Sequence, residues 1–182
     1  MIIDFECDSP TAAVREETEK LLRSGSGFTH RGYFKLFGKV WARQLGMSDR
    51  DPAAADLAKM TALVGDGMRA GAFGLWSGLY CAPGSYSKTA EVIAMAREAA
   101  PFGGTYSSHI RDEADYGIGV VAAVDEVITI AEQAGVTGVV THMKALGPAS
   151  WGLSKTLVAH IEAARSRGVK VFADQYPYEA SG

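Results

Sequence analysis

The chain has 182 residues, 47% of them apolar and 21% charged, enough for one sizeable buried core and too apolar for a disordered polymer. Its formal net charge of −3 is spread over interspersed acids and bases, which excludes the basic stripe of a nucleic-acid binder and points to a small-molecule partner. No segment reaches the roughly 20 apolar residues of a membrane span, the opening MIIDFECDSP has acids where a signal peptide needs bases, and the only cysteines, Cys7 and Cys81, lack Cys-x-x-Cys spacing, so a cytoplasmic chain with reduced thiols is expected.

A single domain is expected over residues 1–182, in which residues 1–50 are weakly patterned and 51–182 hold four helix–strand units. Within the first part, GFTHRGYFKLFGK (27–39) suggests one further strand. The first unit begins at DPAAADLAKMTALVGDGMRAG, where Asp51 can cap, Pro52 suits the first helical position, and Leu57, Met60, Val64 and Met68 recur at helical spacing. AFGLWSG (72–78) follows as a strand. SKTAEVIAMAREAAPFGG then leads into TYSSH, and GIGVVAAVDEVITIAEQAG, with an apolar stripe of Val120, Val124, Val127, Ile128 and Ala131, leads into VTGVVTH. LSKTLVAHIEAARSRG leads into VKVFADQYPY. Each helical stretch ends at a glycine, as helix C-termini commonly do.

The last polar residue of each strand is Ser77, His109, His142 and Asp174, at separations of 32, 33 and 32. Alternation at this pitch implies a parallel α/β sheet with right-handed crossovers. A doubly wound open sheet and a (β/α)8 barrel both fit. The polar tip on every consecutive strand and the lack of a G-x-G-x-x-G fingerprint favour a TIM-type barrel, of which the chain would supply about strands 3–7. In either fold, ligands meet the carboxyl ends of the strands.

His109 and His142 therefore stand on neighbouring strand ends, the placement two imidazoles need to share a metal ion, zinc for preference. Hydrogen-bonded strand caps are the plainer reading. Lys144, two residues on, suits a substrate carboxylate or plain solvent. Arg111, Asp112 and Glu113 are candidates to orient His109 from behind, or form a solvated loop. In DQYPYEASG a rigid proline between Tyr176 and Tyr178 makes an aromatic rim. Tyr80, Cys81 and Tyr86, in the loop GLYCAPGSYSK, are candidate pocket walls, whereas His30 and His160 suggest no site.

Taken together, GAFGLWSGLYCAPGSYS, GGTYSSHIRDEAD, VVTHMKALGPASWG and DQYPYEAS resemble consecutive central motifs of the D-aminoacylase family, the N-acyl-D-amino-acid deacylases of the amidohydrolase superfamily. The resemblance runs unbroken over about residues 50 to 182. It implies a zinc-dependent hydrolase that cleaves an N-acyl-D-amino acid to a carboxylate and the free D-amino acid. It also implies that His109 and His142, matching the family's histidines on strands five and six, hold Zn2+, and that Lys144 and Tyr176 belong to the substrate-binding wall. Cys81 falls where relatives carry a pocket tyrosine, a change expected to alter the pocket.

Relatives also carry a His-x-His pair on strand one, a cysteine ligand after it and a general-base aspartate on strand eight. No His-x-His occurs in this chain, Cys7 has no family context, and Asp174, on strand seven, is not that aspartate. The expected metal site is thus incomplete, and no catalytic residue is assigned. LFGKVWARQLG resembles a Gly-His-x-x-x-Arg segment, with Lys39 in the histidine's place and Arg43 retained. The chain is accordingly expected to be a fragment of a deacylase, inactive alone. The alternatives are a truncated relative that only binds metal or a partner, and a dihydroorotase- or hydantoinase-like cyclic amidase, against which DQYPY argues. Open sheet edges on a part-barrel also favour self-association.

Overall fold

The computed structural model describes residues 49–178, so the readings that rest on Cys7, His30, Lys39, Arg43 and the strand near 27–39 lie outside the described residues. Four units follow one another: α1 (Ala54–Arg69) and β1 (Gly74–Gly78), α2 (Thr89–Ala96) and β2 (Thr105–His109), α3 (Val120–Ala134) and β3 (Thr137–Val140), α4 (Ser154–Ser166) and β4 (Val171–Ala173). α2 tightens into a 3-10 segment, Arg97–Phe102, because Pro101 cannot continue the helical hydrogen-bond ladder, and Gly103 closes the turn at φ +64°.

The strands form one parallel sheet in the order β1-β2-β3-β4. A doubly wound sheet would reverse its order at a switch point and carry helices on both faces. Here the order is sequential and each helix packs on its neighbour, α1 on α2, α2 on α3 and α3 on α4, which is the arrangement of a barrel arc.

Register and alternation define the two faces. Leu75, Tyr106, Gly138 and Val171 lie side by side across the sheet, and all are buried under the helices. Gly138 permits the closest approach, since a Cβ there would stand 2.8 Å from the Ala131 Cβ of α3. The row one residue along, Trp76, Ser107, Val139 and Phe172, faces the opposite side, which would be the barrel interior, and its Phe172 is exposed. The core therefore sits between sheet and helices, where each fully buried residue of the size of Leu75 contributes about 1.5–3 kcal/mol.

Three sequence expectations change. The N-cap of α1 is Ala53, without a side-chain cap; Asp51 instead pairs with Lys88 at 2.6 Å. Ser77 is no rim residue. It points under the helices and bonds the Tyr106 hydroxyl at 2.7 Å and the Ser108 hydroxyl at 3.0 Å, and the residue in register with His109 is Gly78. Cys81 is disulfide-bonded, where the sequence suggested a reduced thiol, since bridging depends on separation in space and not on sequence spacing. Among the described residues no helix is long and apolar enough to cross a membrane.

Candidate metal centre

His109 ends β2 on the interior-facing parity of Thr105 and Ser107 and is almost fully buried. The loop that follows is wound up by Asp112, whose carboxylate accepts backbone N–H groups from Ala114 (2.8 Å), Gly117 (2.6 Å) and Gly119 (3.0 Å). Burial alone would raise the Asp112 pKa, but these donors outweigh it and hold the carboxyl below its usual range. The tight winding turns the next side chain, Glu113, back toward His109.

β3 ends at Val140, and Thr141 anchors the exit by sharing a hydrogen bond of 2.6 Å with Ser107. His142 then adopts φ 42°, a left-handed conformation costly for a residue with a Cβ. Asp174, just past β4, holds that turn: its side chain accepts the His142 N–H at 2.5 Å, its carbonyl accepts the Met143 N–H at 2.9 Å, and its own N–H donates to Val140 O at 3.2 Å. The imidazole is thereby brought edge-on to His109, ring centroids 4.5 Å apart at 83°.

One oxygen joins the site. Glu113 Oε1 lies 3.0 Å from His142 Nδ1, 3.6 Å from His109 Nε2 and 2.5 Å from Lys144 Nζ. Burial pushes the Glu113 carboxyl up, but the hydrogen bonds from His142 and Lys144 and the field of His109 overcome this and set its pKa below the ordinary value, so it is a carboxylate at neutral pH. His109, Glu113 and His142 offer ligand atoms all within 4.8 Å of one another. Tetrahedral zinc with bonds near 2.0–2.2 Å needs donors about 3.4 Å apart. The Glu113-centred spacings of 3.0 and 3.6 Å bracket that value, and two imidazoles with one carboxylate are a zinc-type donor set.

Of the three charged residues after His109, only Glu113 reaches the histidines. Asp112 organises its own loop. Arg111 turns away to Glu126 of α3 (2.9 and 2.8 Å) and to the carbonyls of Ser85 and Ser87 (2.9 Å each), which ties the β1–α2 loop to the β2–α3 loop. On the β1–α2 loop it is Tyr80 that meets His109, ring centroids 5.0 Å apart, with its phenol pKa raised by burial first and then by Tyr116, Glu113 and Asp112. Cys81 is half-buried beside it. Tyr86 packs against the core. His160 pairs with Asp125 at 2.7 Å on the outer helices, away from the rim.

A cavity of about 230 Å³ adjoins His142, bordered also by Lys144, Leu146, Trp151, Tyr176 and Tyr178. Lys144 Nζ lies 5.4 Å from the Tyr176 ring centroid, within cation–π reach, and Tyr176 and Tyr178 stack at 6.3 Å. Trp151 and the bracing role of Asp174 escape sequence reasoning: a tryptophan on a Gly/Pro loop looks like surface, and an aspartate that works through a backbone N–H leaves no motif.

No family model matches the chain. It is 43% identical over 136 residues to the N-acyl-D-glutamate deacylase of Alcaligenes xylosoxydans xylosoxydans, covering 72% of this chain and 27% of that protein. Against the D-aminoacylase of the same organism it is 34% identical over 147 residues, 80% of this chain and 30% of the relative. Among solved structures, the N-acyl-D-glutamate deacylase of Bordetella bronchiseptica, complexed with zinc and a phosphonate mimic of the tetrahedral intermediate, superposes with a TM-score of 0.68 at 40% identity over 74% of this chain and 28% of its own. A D-aminoacylase described as defining a novel subset of amidohydrolases gives 0.72 at 32% identity over 78% and 29%. The chain thus spans less than a third of the length of these relatives, and the parallel arc is a partial TIM-barrel of the amidohydrolase type.

Proposed function

The chain is a homologue of the D-aminoacylases of the amidohydrolase superfamily, and from that premise we propose that it forms part of a zinc-dependent deacylase that hydrolyses an N-acyl-D-amino acid to a carboxylate and the free D-amino acid. The observation that carries this reading is the convergence of His109, Glu113 and His142 on one point at the carboxyl rim, with Lys144 and a cavity beside it. His109 and His142 would hold the zinc, with Glu113 offering a third donor atom within reach. When bound there, zinc would supply Lewis-acid polarisation of the amide carbonyl and activation of water.

The chain's own residues do the rest. Asp174 and the left-handed turn fix the His142 imidazole. Lys144 takes the substrate carboxylate as a point charge, and Tyr176 and Tyr178 wall the cavity that receives it. Tyr80 borders His109, and with its chain neighbour Cys81 it shapes the neighbouring group of the substrate. No residue of the chain is assigned as general base. β1 and β4 each pair on one side only among the described residues, and association with further strands, from a second copy or from more barrel, belongs to the same proposal.

Elemental analysis of the purified chain and of H109A and H142A tests this, together with hydrolysis of N-acetyl-D- and N-acetyl-L-amino acids. One zinc per chain, lost in both variants, with any turnover confined to the D series, is expected. A folded chain that takes up no zinc overturns it. Zinc without turnover favours the narrower reading of a metal-binding segment.

A further inference from the structure

On the helix side of the sheet, β3 and β4 carry only Gly138, Val140, Val171 and Ala173, whereas β1 and β2 bring three hydroxyls together there, from Ser77, Tyr106 and Ser108. All three side chains are fully buried. Ser77 Oγ lies 2.7 Å from the Tyr106 hydroxyl and 3.0 Å from Ser108 Oγ, and the Ser108 hydroxyl donates to the His109 carbonyl at 3.1 Å. Stability alone gives little reason for such a group. Replacing a bonded set of buried hydroxyls by apolar side chains of the same shape can be nearly neutral, and Phe and Ala would fill the same space.

The bonds run in one direction. A carbonyl only accepts, so the single Ser108 hydroxyl hydrogen is taken up by His109; Ser77 must then donate to Ser108, and Tyr106 to Ser77. Burial pushes the Tyr106 phenol pKa well above its ordinary value, which keeps that first donor protonated. We propose that Tyr106, Ser77 and Ser108 are positioning residues of the metal site, a series of donors that ends on the His109 carbonyl and sets the angle at which the His109 imidazole leaves β2. The proposal deepens the deacylase reading and rests on it for the metal that His109 would hold. The other partner of that carbonyl is the Leu79 N–H at 3.0 Å, next in the chain to Tyr80, whose ring meets His109. The peptide group after His109 is thereby held from two sides, where β2 gives way to its loop. Each histidine thus has a brace of its own. Asp174 fixes His142 through its backbone N–H, and β3 carries no hydroxyl at the positions in register with Tyr106 and Ser108.

The full 182-residue chain is titrated with zinc against a chromophoric chelator as wild type, S108A, S77A, Y106F and Y106F/S108A. I130V, which removes a buried methyl group from α3 and no hydroxyl, is the control for plain core loosening. Circular dichroism confirms folding. S108A should weaken zinc about tenfold and S77A and Y106F about threefold each, while Y106F/S108A stays within about twofold of S108A, because donors in series have no route once the last is gone. I130V should stay within about twofold of wild type. Losses that multiply in the double variant overturn the series, and a loss in I130V equal to that in S108A reduces the hydroxyls to packing. Should S108A fail to fold, Y106F/S77A takes its place and must match S77A. Nitrogen-15 NMR of the metal-free chain is the second arm. S108A should move the His109 ring signals, assigned by their absence in H109A, and leave those of His160 on the outer helices in place, whereas I130V should move neither. An unmoved His109 ring overturns the proposal. A wild type that takes up no zinc overturns the deacylase reading, and the metal-free spectra still decide the positioning.

Discussion

Replacing Arg111 by alanine should destabilise the chain by about 3 kcal/mol, the lower end of the 3–5 kcal/mol typical when one partner of a buried ion pair is removed. The structure sets this value through what is left behind. Arg111 makes a bidentate bond to Glu126 and donates to two backbone carbonyls, with its side chain 17% exposed and that of Glu126 6%. In R111A the buried Glu126 carboxylate keeps one visible donor, the Thr89 hydroxyl at 2.8 Å, and the Ser85 and Ser87 carbonyls each lose theirs. The partial exposure of the guanidinium admits some water to the gap and argues for the lower figure. At about 2–4 °C per kcal/mol for a chain of this size, the melting temperature should fall by roughly 6–12 °C. Removing both charges in R111M/E126L should recover much of the loss, because no uncompensated charge then remains. Urea unfolding followed by circular dichroism measures both. A loss below about 1 kcal/mol in R111A, or a double variant no better than the sum of the two single ones, would refute the view that this clamp ties the β1–α2 loop to the loop that carries Glu113.

The remaining predictions concern the same rim and its supports. Because backbone donors hold the Asp112 pKa below its ordinary 3.8, its contribution to stability is complete above that value and is lost as pH falls through the folded-state pKa; D112N should therefore flatten the acid limb below about pH 4 in melting curves taken from pH 6 to 2, and an unchanged limb counts against it. G138A should cost about 1–3 kcal/mol in urea unfolding, since the new Cβ would lie 2.8 Å from the Ala131 Cβ and 3.5 Å from Val127; a neutral result would mean α3 is free to lift from the sheet. D174A should weaken zinc about tenfold by releasing the left-handed turn at His142, whereas D174N, which keeps an acceptor oxygen, should stay within a few-fold of wild type; equal losses would implicate charge and not the brace.

Much of the fold was legible because each β/α unit repeats the same geometry, so strand ends recur at a fixed pitch and His109, His142 and Asp174 all emerge on one rim. Pitch locates a residue along the chain but leaves its parity open, and in a strand one residue decides the face. Ser77 shows the consequence: it keeps the period, yet lies one step before the register partner of His109 and belongs to the core. The loop side chains were less legible for a different reason. Arg111, Asp112 and Glu113 are adjacent and equally charged with potential, but their destinations are set by partners far off in sequence or by the winding of the loop itself: Glu126 and the Ser85 carbonyl for the first, local N–H groups for the second, His142 and Lys144 for the third. What no sequence pattern carries is the sharing of a single atom. That Glu113 Oε1 lies within 3.6 Å of His109 Nε2, 3.0 Å of His142 Nδ1 and 2.5 Å of Lys144 Nζ at once follows only from the geometry of two neighbouring strand ends.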